Sequence, residues 1–185
     1  MAFTFVLLGI VGCGCTKEMR TSRHLSRGSR DFQAQKYDQA EIEYLKALQL
    51  TPQHPEALKA LGLIYQEEGK FVYAHAFLTK AAQLEPANSE IRLKLALNEL
   101  ALNDLKKAVE DARLVLATQP GQQEALEIIA GSAISTNGLQ EIEQQIAKFR
   151  QGDKDQASYH VAFGTLALRN QNLTNAETEL RRRWN

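Results

Sequence analysis

The sequence predicts an all-α chain, a curved stack of antiparallel helix pairs, and three observations carry that prediction. Pro52, Pro86 and Pro120 are spaced 34 residues apart. Aligned on them, five registers begin at Thr21, Pro55, Ser89, Gln123 and Ala157, and small residues recur inside them. Gly28, Gly62, Ala96, Ala130 and Gly164 hold the eighth place; Ala40, Ala74, Ala108 and Ala176 hold the twentieth, where the fourth register has Ile142. Between these columns apolar residues return every three or four positions, the stripe of an amphipathic helix, and no segment alternates long enough to make a strand.

Residues 1–12 read as a signal peptide. Phe3 to Val11, "FTFVLLGIV", is apolar apart from Thr4 and Gly9. This is about half of the roughly 20 residues a spanning helix needs, and it has the size of a secretory h-region. Ile10-Val11-Gly12-Cys13 follows and resembles the lipobox of bacterial lipoproteins. The resemblance implies diacylglycerylation of Cys13, cleavage just before it, and acylation of the new amino end. A plain cleaved signal and an uncleaved anchor are the alternatives. Metal binding by Cys13 and Cys15 is disfavoured because tetrahedral sites want four ligands, and a disulfide between them would close a strained ring. No Lys or Arg precedes the apolar run, where the leader departs from the signal pattern.

Residues 13–20 are anchor and short linker; the five units follow as 21–54, 55–88, 89–122, 123–156 and 157–185. In the first, His24, Arg27 and Asp31 occupy places where the later units carry large core residues, with Leu25 and Phe32 one step along. Polar substitution on an outer helix suits a capping repeat. Its second helix, "YDQAEIEYLKALQL", is regular, with Ala40, Tyr44 and Ala47 inward. The second unit is the most complete. Pro55 suits a first helical position, Leu58, Leu61, Gly62 and Tyr65 form one stripe, Gly69 supplies a left-handed stop, and Ala74, Leu78 and Ala81 form the next stripe. In the third, Asn88 can cap a helix that has Glu90 in its first turn, as Glu56 and Glu124 stand in theirs, where the dipole favours a carboxylate. The fourth unit puts Ile142, Ile146 and Phe149 where its neighbours are mostly small, and "GDKD" where they have Pro, so a different helix spacing is expected there. The fifth has Ala176 and Leu180 on register but stops before its unit is complete. The expectation is that its outer face, around Phe163, Ala167 and Leu180, is left partly uncovered.

The 34-residue period, with "PEALKALGLIYQEEGKFVYAHAFLTKAAQLEP" as its fullest copy, closely resembles the tetratricopeptide repeat (TPR) from about Thr21 onward. The resemblance implies a right-handed superhelical solenoid whose concave wall comes from the first helix of each unit. Carried onto this chain, the wall comprises Lys59, Leu63, Gln66, Glu90, Leu93, Leu97, Leu100, Glu127, Ile134, Val161 and Leu168. Its mostly apolar character implies a protein or peptide ligand with an apolar face; burial of these leucines against one another by tight curvature is the alternative. The Lys and Asn set that clamps a chaperone's carboxyl terminus is incomplete. Lys59 fits, but Leu63 stands where Asn belongs and Glu124 where a Lys would follow.

Other functions are disfavoured by composition. The 22 basic and 22 acidic residues balance to a formal net charge of zero, against a general polyanion binder, and aromatics are only 7%, too few for a base-stacking platform. Signatures of nucleophilic, zinc, phosphate-loop or calcium chemistry do not occur. His24, His54, His75 and His160 fall in four units and read as surface or helix-end residues. Neither a metal, a cofactor nor a small-molecule substrate is expected. Arg20, Arg23, Arg27 and Arg30 recur at helical spacing and form either a headgroup-contacting stripe near the anchor or a solvated face.

The expected function is a non-enzymatic scaffold, lipid-anchored in the bacterial envelope. Gly14 after the anchor Cys is not the Asp that retains lipoproteins at the inner membrane, so the outer membrane, facing the periplasm, is expected. "DQAEIEYLKALQL" and "SYHVAFGTLALRNQNLTNAETELRR" look like TPR lipoproteins associated with exopolysaccharide export. The rivals are an assembly factor for pili or outer-membrane barrels, and the recognition region of a longer chain carrying a catalytic domain.

Overall fold

The computed structural model describes residues 11–132, 136–149 and 157–182. Ten helices and no strand occur among them. They are α1 (Val11–Gln33), α2 (Tyr37–Leu50), α3 (Pro55–Glu67), α4 (Phe71–Leu84), α5 (Ser89–Ala101), α6 (Leu105–Thr118), α7 (Gln123–Gly131), α8 (Thr136–Phe149), α9 (Ala157–Arg169) and α10 (Leu173–Arg182). The chain divides into two compact units, one ending at Leu84 and the other beginning at Glu85. Antiparallel helix hairpins of the TPR type build both.

Local chemistry sets the helix ends. Pro55 opens α3, where its missing N–H would have been unsatisfied anyway. Asn88 caps α5, its Oδ1 accepting from the N–H of Glu90 at 3.1 Å and of Ile91 at 3.2 Å. Gly69 ends the first helix of its hairpin at φ 72°. Gln35, Asn103 and Gln171 stand at the same repeat place with φ of 58°, 61° and 57°. The left-handed turn thus recurs in four of the five hairpins, and only one of those copies has glycine there to relieve it.

In the first unit α1 pairs with α2 and α3 with α4, and α2 packs on α3. Its core joins Leu25, Tyr44, Leu61 and Ile64 through the small residues Ala40, Ala47, Ala57 and Ala60, with Phe32 and Tyr65 at the edge. In the second unit α5 pairs with α6 and α9 with α10. The fourth hairpin differs: α7 has only nine residues, α8 starts at Thr136, and α7 packs more extensively on α9 than on α8. Ile142 and Ile146 still reach the core of that unit. Residues this large keep helix axes apart, which accounts for the looser α7–α8 contact.

Close approach within a hairpin depends on the eighth repeat place. A Cβ on Gly62 would lie 2.6 Å from Leu78 Cγ, and one on Gly164 would lie 2.7 Å from Leu180 Cγ. At Gly28 it would meet the Tyr44 ring at 3.0 Å. The third hairpin has Ala96 and Ala112 at the same two places, both fully buried. Where glycine holds the eighth place it faces a large side chain, and in the third hairpin alanine faces alanine, so the residue at one place limits the size allowed at the other.

Candidate functional site

The described residues expected to line the wall fall on the first helices of their hairpins, α3 in the first compact unit and α5, α7 and α9 in the second. On α3, Lys59, Leu63 and Gln66 are half-buried and follow one face at spacings of four and three. In the second unit Leu93 is 8% exposed and belongs to the core, and Leu97 packs against that core. Val161 on α9 is half-buried, while Glu90 and Glu127 are exposed. Leu100 on α5 and Leu168 on α9 are 40% and 50% exposed, and both occupy the twelfth repeat place. Ile134, which shares that place, lies outside the described residues.

Around α3 the first unit gathers its aromatic rings. Tyr65 sits with its ring centroid 5.8 Å from Tyr73 and 5.4 Å from Phe77. Its hydroxyl donates to Glu41 Oε1 at 2.6 Å. Burial, then the hydrogen bond to Glu41, raises the Tyr65 pKa, which keeps the phenol a donor. Lys70 Nζ lies 5.7 Å from the same ring centroid and ion-pairs Glu68 at 2.9 Å. An open recess of about 330 Å³, lined by Leu48, Pro52, Leu58, Ala76, Phe77 and Lys80, adjoins this cluster. The neighbouring Tyr44 is pushed up to about 12 by burial, with the Glu56 charge adding to the shift.

Polar pairs recur across the hairpins at one pair of repeat places. His24 Nδ1 lies 2.8 Å from Glu43 Oε2, Arg92 Nη1 2.6 Å from Asp111 Oδ1, and His160 Nδ1 2.7 Å from Glu179 Oε2. Each pair is separated by 19 residues. Lys46 and His24 hydrogen-bond to the Glu43 carboxylate and hold its pKa below the usual range. His160 is 2% exposed. The expectation of a surface or helix-end residue fails for it, because its pairing with Glu179 is what permits burial. Reading the fourth and twenty-third repeat columns together would have found all three pairs. Sequence reading also missed two polar residues of α5, Asn98 and Glu99, which are 0% and 3% exposed. Burial, aided by the nearby charges of Asp111 and Asp104, raises Glu99 to about 7.

On α1 the four arginines are all exposed and none forms an ion pair among the described residues. Cys13 lies within the helical span of α1, whereas the leader up to Ile10 lies outside the described residues. Among the described residues no helix is long and apolar enough to cross a membrane, and no group of three or more His, Cys, Asp or Glu is placed to hold a metal. In the fifth hairpin Phe163 and Ala167 line an open cleft with Asn170, Asn172 and Asn175, and Leu180 covers Gly164. Trp184 lies outside the described residues.

Residues 28–69, which span the α1–α2 turn and all of α2 and α3, match the family described as TPR repeat. Three solved structures show the extent of the likeness in fold. MamA of Desulfovibrio magneticus matches with a TM-score of 0.71 at 16% identity, over 89% of this chain and 93% of its own. PilF of Pseudomonas aeruginosa matches with a TM-score of 0.70 at 15% identity, over 91% of this chain and 77% of its own. The first TPR domain of Spaghetti (RPAP3), solved with the HSP90 peptide SRMEEVD, matches with a TM-score of 0.56 at 25% identity, over 70% of this chain and 94% of its own. No curated protein matches the chain significantly. TPR arrays are protein-interaction modules, and residues 28–69 match that repeat.

Proposed function

We propose that this TPR chain is a lipid-anchored scaffold that holds a protein or peptide partner in the bacterial envelope, at the outer membrane and facing the periplasm. One observation carries the binding part. Leu100 and Leu168 repeat at one place on first helices and stay 40% and 50% exposed, although both belong to apolar helices with buried faces. Exposed leucines in register favour a ligand with an apolar face, and the peptide seen on the RPAP3 domain supports a peptide-sized ligand for this fold. Leu63 and Glu124 replace clamp residues, so an acidic carboxyl terminus is not the ligand proposed here. The anchor part rests on Ile10-Val11-Gly12-Cys13 behind its apolar run, and the setting favoured is exopolysaccharide export or envelope assembly.

A photo-crosslinking residue placed at Leu100 or Leu168 should capture a discrete envelope protein in cells. The same residue at Leu114, which is 49% exposed on the second helix α6, should not. Equal capture from all three positions overturns the wall reading. Fatty-acid labelling that marks wild type but not Cys13→Ser supports the anchor; labelling of neither refutes it.

A further inference from the structure

We propose that the outward face of α1 is a docking surface for an anionic lipid bilayer, a reading that rests on the chain's residing at a membrane. At 100° per residue, Arg20, Arg23, Arg27 and Arg30 fall within an arc of about 80°. The opposite side of α1 carries Thr21, Leu25 and Gly28, all buried, so the hairpin itself aims the arginines outward. Apolar side chains accompany them. Met19 is 62% exposed at the edge of the arc, and Ile42, 52% exposed on α2, lines one open cleft with Arg27 and Arg30. Basic and apolar groups on one outward surface are the chemistry of an interfacial contact, with guanidinium at the phosphates and the apolar side chains between headgroups.

Charge complementarity and position select a bilayer over a soluble polyanion. Two carboxylates border the cleft. Glu43 is engaged by His24 at 2.8 Å and Lys46 at 2.7 Å, which leaves Asp31 against two arginines. Cys13 precedes Arg20 by seven residues, about 10 Å of helical rise. A chain tethered there brings the arginine face within one Debye length of the headgroups, where such charges act.

The test uses the full chain as Cys13→Ser, which carries no acyl group, with vesicles of phosphatidylcholine alone or mixed with phosphatidylglycerol. Each arginine near an anionic surface contributes about five-fold, so changing Arg23, Arg27 and Arg30 together to Gln should weaken binding to the mixed vesicles about 100-fold. Binding to neutral vesicles, which the apolar leader can support, should not change. Replacing the same three with Lys should restore most of the binding, since a point charge suffices. Equal affinity for neutral and anionic vesicles overturns the proposal, as does a Gln variant that binds like the parent or a Lys variant that fails to rescue. Tighter binding to heparin than to the mixed vesicles also overturns it. Because no acyl chain is involved, failure here leaves the anchor reading standing, and an unlabelled Cys13 leaves this one standing.

Discussion

Gly62→Ala tests the hairpin packing most directly, because the new methyl enters the space that Leu78 fills. The added Cβ would stand 2.6 Å from Leu78 Cγ, 2.8 Å from its Cδ2 and 3.4 Å from the Ala74 carbonyl oxygen. Leu78 is fully buried and has no open side to swing into. Overpacking of this kind costs about 1–3 kcal/mol, and alanine's better helix propensity offsets about 1 kcal/mol of it. A net loss of up to about 2 kcal/mol is expected by urea denaturation followed by circular dichroism. Leu78→Ala alone should cost about 3 kcal/mol through its cavity. The double variant recreates the Ala96 and Ala112 arrangement of the third hairpin, and should cost about 2 kcal/mol less than the sum of the two singles. Additive effects, or a Gly62→Ala chain more stable than the parent, would refute the close-approach argument.

Two further outcomes follow from buried or strained positions. Glu99, raised by burial to about 7 from an ordinary 4.5, keeps a proton in the folded chain that the unfolded chain releases between those values. Its contribution is therefore fully present below pH 4.5 and is lost as pH rises through 7, by about 3 kcal/mol in all. Glu99→Gln should flatten the stability profile between pH 5 and 8 by about that amount; an unchanged slope would show that the carboxyl does not titrate in this interval. Gln35→Gly and Gln171→Gly relieve residues held at φ 58° and 57°, and each should raise stability by about 0.5–1 kcal/mol, measured by thermal melts. Gly69→Gln should lower it, and a Gly69→Gln chain of unchanged stability would contradict the turn geometry.

The hairpin framework was legible because its signals are local. Pro55, Gly69 and Asn88 each fix a helix end through their own backbone or side-chain chemistry, and the structure uses all three as the sequence suggests. The odd fourth hairpin was legible too, since the bulk of Ile142 and Ile146 marks a departure from its neighbours, and α7 packs less on α8 than on α9. Leu93 and Leu100 show where legibility stops. They lie seven residues apart on one face of α5, yet one is in the core and the other is open to solvent, and the neighbouring helices that decide this leave no mark on α5 itself. His160 and Glu99 failed for the same reason. Their burial depends on partners and charges supplied by the facing helix, which a reading of single columns does not pair.

The 19-residue separation of the polar pairs has a consequence for how such a chain can change. His24–Glu43, Arg92–Asp111 and His160–Glu179 each close within one helix hairpin, and none reaches into the next. The loop each contact must close is short, so its entropic cost is small and local. A block of 34 residues can therefore be duplicated, deleted or exchanged without separating any of these three pairs. The hairpin is the heritable cassette, and the number of hairpins is free to vary with the partner to be spanned.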